Sequence, residues 1–323
     1  MYRIGIDLGG TNIAVGLVNE SFEILSKKST PTLCGRPSEE IVADIATLCK
    51  AVCTEADIAL DKVYSVGIAS PGLVDQESGC VVYSNNLGMR NFPMIPLLRK
   101  LIPVKNIYIE NDANAAAWGE VVAGAAKGCR DAVMITLGTG VGGGIIAGGK
   151  IYKGFNSAGG ELGHTVIRVD GRPCTCGRLG CWETYSSATG LIRTTEEKID
   201  KCAKENRPTK MAELVAEKGR VTGRTAFDAM RAGDEAGTEV VTEYIKYLAI
   251  GLANMINIFQ PKVILIGGGI SNEGQFLIDL LDAQVKKQTY GFGFAPATEI
   301  RIATLKNDAG IIGAAVLGME LTQ

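Results

Sequence analysis

Short apolar runs broken by glycine open the chain. Arg3-Ile-Gly-Ile-Asp-Leu reads as a buried strand, turns at Gly9-Gly10-Thr11-Asn12 and resumes as Ile13-Ala-Val-Gly-Leu-Val-Asn19. By length and composition this is a β-hairpin, and a strand near Glu23 to Lys27 extends the meander. The period then changes. Ile41, Val42, Ile45, Leu48 and Val52 recur at helical spacing, with Ser38 as candidate N-cap. Val63 to Ala69 returns to strand and ends in the sharp loop Ser70-Pro71-Gly72. Asn106 to Glu110 forms another strand, followed by Asn111-Asp112 and an alanine-rich helix from Ala113 to Ala123.

Between residues 118 and 130 the pattern restarts. Ala132 to Leu137 leads into Gly138-Thr-Gly-Val-Gly-Gly-Gly144, then Ile145-Ile-Ala147 turns through Gly148-Gly149 into Lys150-Ile-Tyr152. This repeats the opening order of strand, Gly/Thr turn and strand, and predicts two related α/β halves facing each other. Residues 186 to 260 read as mostly helical, ending in an apolar-rich stretch that Gln260-Pro261 stops. Lys262 to Ile266 is a strand broken by Gly267-Gly-Gly269. A strand from Glu299 to Thr304 and a helix from Ala309 to Leu321 close the chain, the helix returning to pack on the first half.

A chain of 323 residues has room for two domains with cores of their own. Lys plus Arg number 33 against 35 Asp plus Glu, so no charge excess argues for nucleic acid or an anionic membrane surface, and a small-molecule ligand is the default. The first strand begins at the N-terminus, leaving no room for a secretory signal, and no run reaches the about 20 apolar residues of a membrane span. A cytoplasmic protein is therefore expected. In a reducing compartment its nine cysteines are ligands or buried thiols rather than disulfide partners.

Four residues stand out. His164, the only histidine, with Cys174, Cys176 and Cys181 supplies one nitrogen and three sulfurs, matching closed tetrahedral zinc (Zn2+) sites whose role is structural. A disulfide among the three cysteines, or inert thiols, is the competing reading. Glu161 and Glu183 bracket the cluster, so a metal clip would fix two carboxylates beside one another.

Asp7-Leu-Gly-Gly-Thr-Asn12 puts a carboxylate at a strand end before a turn whose N–H groups and hydroxyl can surround phosphate. A plain hairpin turn needing positive φ is the bland alternative, but the second copy at Gly138 to Gly144 favours phosphate. Gly138-x-Gly140-x-x-Gly143 also satisfies the dinucleotide fingerprint; that fingerprint must open a helix, whereas here it opens a strand. No P-loop motif occurs. Gly267-Gly-Gly269 either lies against a planar base or merely caps its strand. Asn111-Asp112 can cap the following helix, yet at the C-terminal end of a strand Asp112 is also a candidate general base.

Together Asp7 to Asn12, Ser70-Pro-Gly72, Glu110-Asn-Asp-Ala-Asn-Ala115, Leu137 to Gly142, Gly160-Glu-Leu-Gly-His164, Cys174 to Glu183 and Ile264 to Gly269 resemble the ROK family of sugar kinases and regulators, nearly end to end. Within it the chain looks most like the bacterial glucokinases, including the stretch Asn86-Leu87-Gly88. The resemblance implies an α/β protein of two actin/hexokinase-like (ribonuclease H-like) domains with an interdomain cleft. The expected domains are residues 1–118, completed by a C-terminal helix at about 306–323, and residues 119–305, which carry the zinc site.

The resemblance further implies ATP-dependent phosphorylation of a hexose, glucose above all, at its 6-hydroxyl. Asp112 would accept the hydroxyl proton, while Asn111, Glu161, Glu183, His164 and Gly72 bind sugar. His164 would give one ring nitrogen to zinc and turn the other toward sugar. Asp7 would stand near a magnesium ion (Mg2+), with Gly9, Gly10, Thr11, Asn12, Gly138, Thr139 and Gly140 at phosphate and Gly268 and Gly269 at adenosine. The alternatives are a kinase of N-acetylmannosamine or of another N-acylhexosamine or hexose, or a sugar-responsive ROK repressor, for which the resemblance implies an N-terminal helix-turn-helix ahead of the first phosphate strand; an enzyme is the expected reading. A homodimer is expected.

Overall fold

The computed structural model describes residues 1–321. Its opening strands β1 (Tyr2–Leu8) and β2 (Asn12–Val18) pair antiparallel from Arg3↔Val18 to Leu8↔Ile13, and β3 (Ile24–Pro31) adds to β2. The strand β4 (Val63–Ser70) runs parallel to β1. A separate three-stranded antiparallel sheet follows, made of β5 (Leu73–Asp75), β6 (Cys80–Ser84) and β7 (Met89–Phe92). Then β8 (Asn106–Asn111) pairs parallel with β4 and completes a five-stranded sheet of order β3-β2-β1-β4-β8.

That order decides where chemistry can gather. Asp7 sits opposite Ala69, Ala69 opposite Glu110, and Ser70 opposite Asn111, so three parallel strands end level with one another. Open α/β sheets bind ligands at the C-terminal ends of such strands.

The helix Ser38–Glu55 packs Ile41, Ile45, Cys49 and Val52 into the main apolar cluster with Ile4, Ile6, Val66 and Ile68. The helix Ala309–Ala315 comes back from the far end of the sequence and lies almost on the strand backbone: a Cβ on Gly5 would stand 1.8 Å from the Ile311 carbonyl oxygen, and one on Gly67 1.8 Å from that of Ala314. Only glycine tolerates such an approach.

In the second half, β9 (Ala132–Leu137), β10 (Val141–Ala147), β11 (Lys150–Ile151), β12 (Val263–Gly267) and β13 (Glu299–Ile302) form a sheet of order β11-β10-β9-β12-β13. Five helices of seven residues or more, Ala188–Lys204, Lys210–Lys218, Thr225–Arg231, Glu235–Phe259 and Gln275–Gln288, account for most of the rest. Trp182 is fully buried against Gly251, with its indole N–H donating to the Tyr247 carbonyl at 3.1 Å.

The chain divides into two compact units, one of residues 1–134, 144–160 and 303–323, the other of residues 135–143 and 161–302. No helix among the described residues is long and apolar enough to cross a membrane.

Some local expectations shift. Ser38 is the first residue of its helix rather than the cap; Pro37 holds the cap position and makes no side-chain cap bond. The third strand runs to Pro31, and the last α-helix ends at Ala315 instead of Leu321.

Candidate functional site

In the first unit the strand ends bring together Asp7, the turn after it, Gly72, Asn111 and Asp112. The turn is closed by the Gly9 N–H donating to the Asn12 carbonyl at 2.9 Å and is braced from β3, where the Thr32 hydroxyl donates to the Gly9 carbonyl at 2.6 Å. Neither Gly9 nor Gly10 has positive φ, so the hairpin-turn explanation for these glycines fails at both.

Asn111 caps the helix Asp112–Val122, its Oδ1 accepting from the Ala113 and Asn114 N–H groups. Its Nδ2 donates to the Gly72 carbonyl at 3.1 Å, which ties the helix start to the Ser70-Pro71-Gly72 loop. Both residues of the Asn-Asp pair therefore serve the helix terminus, since Asp112 Oδ1 also accepts from Ala113 N at 2.8 Å. Asp112 is exposed, yet the protein around its carboxylate raises its pKa by desolvation, against the lowering effect of its hydrogen bonds. Asp7 is raised too, by desolvation first and by the Asp112 charge second, with Lys27 opposing. Lys27 itself pairs with Asp308 at 2.6 Å.

Next to this corner lies Glu110, a buried carboxylate that the motif reading quoted without giving it a task. Its Oε1 accepts from Asn111 N at 3.0 Å and Asn114 Nδ2 at 3.2 Å, and Oε2 pairs with Lys153 at 2.5 Å. No signal in the sequence links positions 110 and 153.

The second unit holds Gly138, Thr139, Gly140, Glu161, His164, Glu183, Gly268 and Gly269. The turn after β9 is fastened at its base, where the Gly138 carbonyl accepts from Ala188 N at 2.9 Å and the Thr139 carbonyl from the Thr189 hydroxyl at 2.8 Å. A Cβ on Gly138 or on Gly269 would meet nothing within 4 Å. Packing thus does not demand glycine at these positions, whereas Gly268, with φ +80° and Leu137 backbone 2.5 Å from its missing Cβ, is required by the fold itself.

His164, Cys174, Cys176 and Cys181 converge, their ligand atoms all lying within 4.8 Å of one another. Cys174 Sγ is 3.6 Å from His164 Nδ1, and Cys176 Sγ is 3.6 Å from Cys181 Sγ. The loop that achieves this is a tight knuckle, with Gly177 N donating to the Cys174 carbonyl at 3.0 Å and Cys174 N to that of Arg178 at 2.9 Å. Glu183 adjoins the cluster, its Oε1 3.9 Å from Cys174 Sγ. Glu161 is exposed, and its carbonyl accepts from His164 N at 3.1 Å.

Two five-stranded sheets, each with a glycine turn after a strand, and a Cys/His cluster with Glu183 at its side belong to an α/β fold of actin/hexokinase-like type. A sequence model of the ROK family matches residues 3–320, and the chain belongs to that family. It is 36% identical over 316 residues to the glucokinase of Halalkalibacterium halodurans, covering 97% of this chain and 93% of the relative. It is also 36% identical over 318 residues to the glucokinase of Thermotoga maritima, covering 98% and 97%. Among solved structures, a ROK family glucokinase from Streptomyces griseus in complex with glucose and AMPPNP superposes with a TM-score of 0.79 at 33% identity, over 98% of this chain and 99% of that one.

Proposed function

We propose that the protein transfers the γ-phosphoryl group of ATP to the 6-hydroxyl of a hexose, with glucose the preferred acceptor. The observation that carries this reading is Asp112: a carboxylate directly after a parallel strand, its pKa raised by desolvation, held at the first turn of its helix where Oδ1 accepts from the Ala113 N–H at 2.8 Å. A carboxylate of raised pKa is a better proton acceptor than one at its ordinary value, and proton transfer by a positioned base contributes about 10²- to 10⁴-fold. The relatives named above act on glucose by name, which supports the choice of acceptor.

Phosphoryl transfer asks a protein mainly for position and charge neutralisation. Asp112 takes the proton of the attacking hydroxyl, while Asn111, held by Gly72, aligns a neighbouring hydroxyl. Within the first unit Gly10, Thr11 and Asn12 present backbone N–H groups and the Thr11 hydroxyl suited to phosphate, the Gly9 N–H being taken by the Asn12 carbonyl. Within the second, Thr139 and Gly140 present the same kind of groups, the Gly138 N–H being taken by the Gly140 carbonyl, and the open space at Gly138 and Gly269 leaves room for nucleotide backbone contact. Gly268 and Gly269 take the adenosine. Asp7, kept near the phosphates at the end of β1, is the residue that would hold a magnesium ion through water, and such an ion neutralises phosphate charge.

The four-residue cluster fits zinc. A tetrahedral Zn–S distance of about 2.3 Å implies sulfurs about 3.8 Å apart, against the 3.6 Å between Cys176 and Cys181. Without a metal, burial pushes the Cys181 thiol up to about 12, a cost that a coordinated dication reverses by holding the thiolate. His164 points Nδ1 at the sulfurs, which leaves Nε2 for the sugar with its tautomer fixed. Glu183 and Glu161, on either side, bind further hydroxyls. The protein works as a homodimer in the cytoplasm.

A coupled assay of ADP release across glucose, mannose, N-acetylmannosamine and N-acetylglucosamine tests the reading. Glucose is expected to give the highest kcat/KM; preference for an N-acyl sugar would move the protein to the other kinase class, and ADP release that no sugar stimulates would overturn the proposal.

A further inference from the structure

The least expected feature of the first unit is a buried ion pair. Glu110 is 3% exposed, and among the described residues Lys153 is the one cation within ion-pair distance, at 2.5 Å. Burying a carboxylate is costly unless it is paired and hydrogen-bonded, and here every bond it makes goes to one of two places. Oε1 holds the Asn111 N–H and the Asn114 side-chain amide, hence the first turn of the helix that begins with Asp112. Oε2 holds Lys153, the first residue of a loop that closes on itself: the Gly159 N–H donates to the Lys153 carbonyl at 2.8 Å.

That loop is otherwise lightly held. Phe155 at its tip is fully exposed, Asn156 Oδ1 accepts only from Ala158 N within the loop, and Ser157 sits at φ 61°. On the other side, Asn114 Oδ1 is buried with no partner, so the Asn114 amide is anchored through Glu110 alone. A single carboxylate thus fixes both the helix start and the base of the loop.

We propose that Glu110 and Lys153 are positioning residues, a strut that sets the loop of residues 153–160 against the Asn111-Asp112 corner so that the loop shapes the hexose site. This rests on the kinase reading above, but the strut has consequences of its own. The two halves of the pair are unequal. Lys153 is one-third exposed and borders a cavity of about 740 Å³ lined also by Tyr108, Trp118 and Arg130, so it can turn to water when its partner is lost. Glu110 lies at the wall of the same cavity but is only 3% exposed, so its charge stays largely out of water.

Glu110→Gln keeps an acceptor for Asn111 and Asn114 while freeing the loop. Lys153→Met strands a buried carboxylate and is the more destabilising change. In the double variant Glu110→Gln/Lys153→Met the stranded charge is gone, so Tm recovers toward the single Glu110→Gln value while the loop stays released. A residue that served stability alone would recover both.

The experiment measures three quantities on the full chain for these variants and Lys153→Arg: Tm, sugar KM and kcat, and amide hydrogen exchange of residues 154–160 without sugar. Expected in the double variant are a recovered Tm, faster exchange in the loop, and a sugar KM raised about tenfold with kcat changed less than about threefold, in line with the cost of a small misplacement. Lys153→Arg retains the pair and stays near wild type. Unchanged loop exchange in the double variant overturns the strut. Faster exchange with an unchanged KM overturns its role in sugar binding, and an inactive wild type with a released loop in the variants leaves the strut standing while the kinase reading falls.

Discussion

Glu183 Oε2 accepts from the Val141 N–H at 2.9 Å, so the carboxylate that neighbours the Cys/His cluster also fastens the glycine turn after β9. A proposed phosphate loop and a proposed sugar wall are thereby joined within one unit by a single side chain. Gly140 lies under that carboxylate: a Cβ there would stand 2.3 Å from Glu183 Oε2.

Two neighbouring glycines should therefore respond differently to alanine. Gly140→Ala pushes Glu183 off the Val141 amide, and kcat/KM is expected to fall up to about 100-fold, the cost of roughly 1 Å of misplacement. Gly138→Ala meets nothing within 4 Å and has no positive φ to strain. Its stability should stay within about 0.5 kcal/mol of wild type while the KM for ATP rises, because the added methyl stands where phosphate approaches. Thermal melts and ATP titrations of both variants check the contrast; equal melts and equal kinetics would refute it.

Asp112→Asn separates activity from stability. Loss of a base should cut kcat by about 10²- to 10⁴-fold with sugar affinity largely kept. Because desolvation raises the folded-state pKa of Asp112 above 3.8, its ionised form is disfavoured by folding. That penalty is absent below the unfolded pKa and grows as pH rises through the folded one. At neutral pH the asparagine variant, which carries no charge to desolvate, should melt at or above the wild-type temperature. For the wild type, kcat/KM should fall as pH drops through the folded pKa, with a midpoint above 3.8. A pH–rate profile and melts at two pH values test both signs.

Much of this site was legible because its chemistry is local in sequence. The turns Gly9 to Asn12 and Gly138 to Gly140 and the Asn111-Asp112 pair each announce themselves within a few positions, where alternation or helical period places them at strand ends, and the Cys/His spacing falls between residues 164 and 181. The sheet β5-β6-β7 was not legible: Leu73–Asp75 and Met89–Phe92 are too short to show a period. Nor were the structural partners of Glu110, Glu120 and Glu183, which lie 43, 185 and 42 positions away at Lys153, Leu305 and Val141. Ser38 misled because Pro37, with its fixed φ, takes the cap position just before it.

Cys176→Ser addresses the metal. Cys176 is exposed, whereas Cys181 is fully buried, so replacing Cys176 removes a proposed ligand with little loss of packing. Wild-type protein is expected to carry one zinc per chain by elemental analysis, and the variant none. A loss of more than about 1 kcal/mol, some 2–4 °C in Tm, together with weaker sugar binding would follow from loosening His164 and Glu183. Normal sugar affinity in a zinc-free variant would count against the brace.

Glu120 offers a test free of any functional assumption. It is fully buried at the end of the helix Asp112–Val122, accepting from Ala125 N at 2.7 Å, Leu305 N at 2.7 Å and the Thr304 hydroxyl at 3.3 Å. One carboxylate thereby pins the segment that brings the chain back toward the helix Ala309–Ala315, whose backbone rests on Gly5 and Gly67. Glu120→Ala takes the carboxylate acceptor away from the Leu305 and Ala125 N–H groups, and a buried donor left unmet costs about 1–3 kcal/mol. Glu120→Gln keeps one acceptor oxygen and turns the other position into a donor facing a donor, so it should lose roughly half as much. Denaturant unfolding should order the stabilities as wild type, Gln, then Ala; a glutamine variant as unstable as the alanine one would mean that the negative charge, rather than the two amide bonds, is what holds this junction.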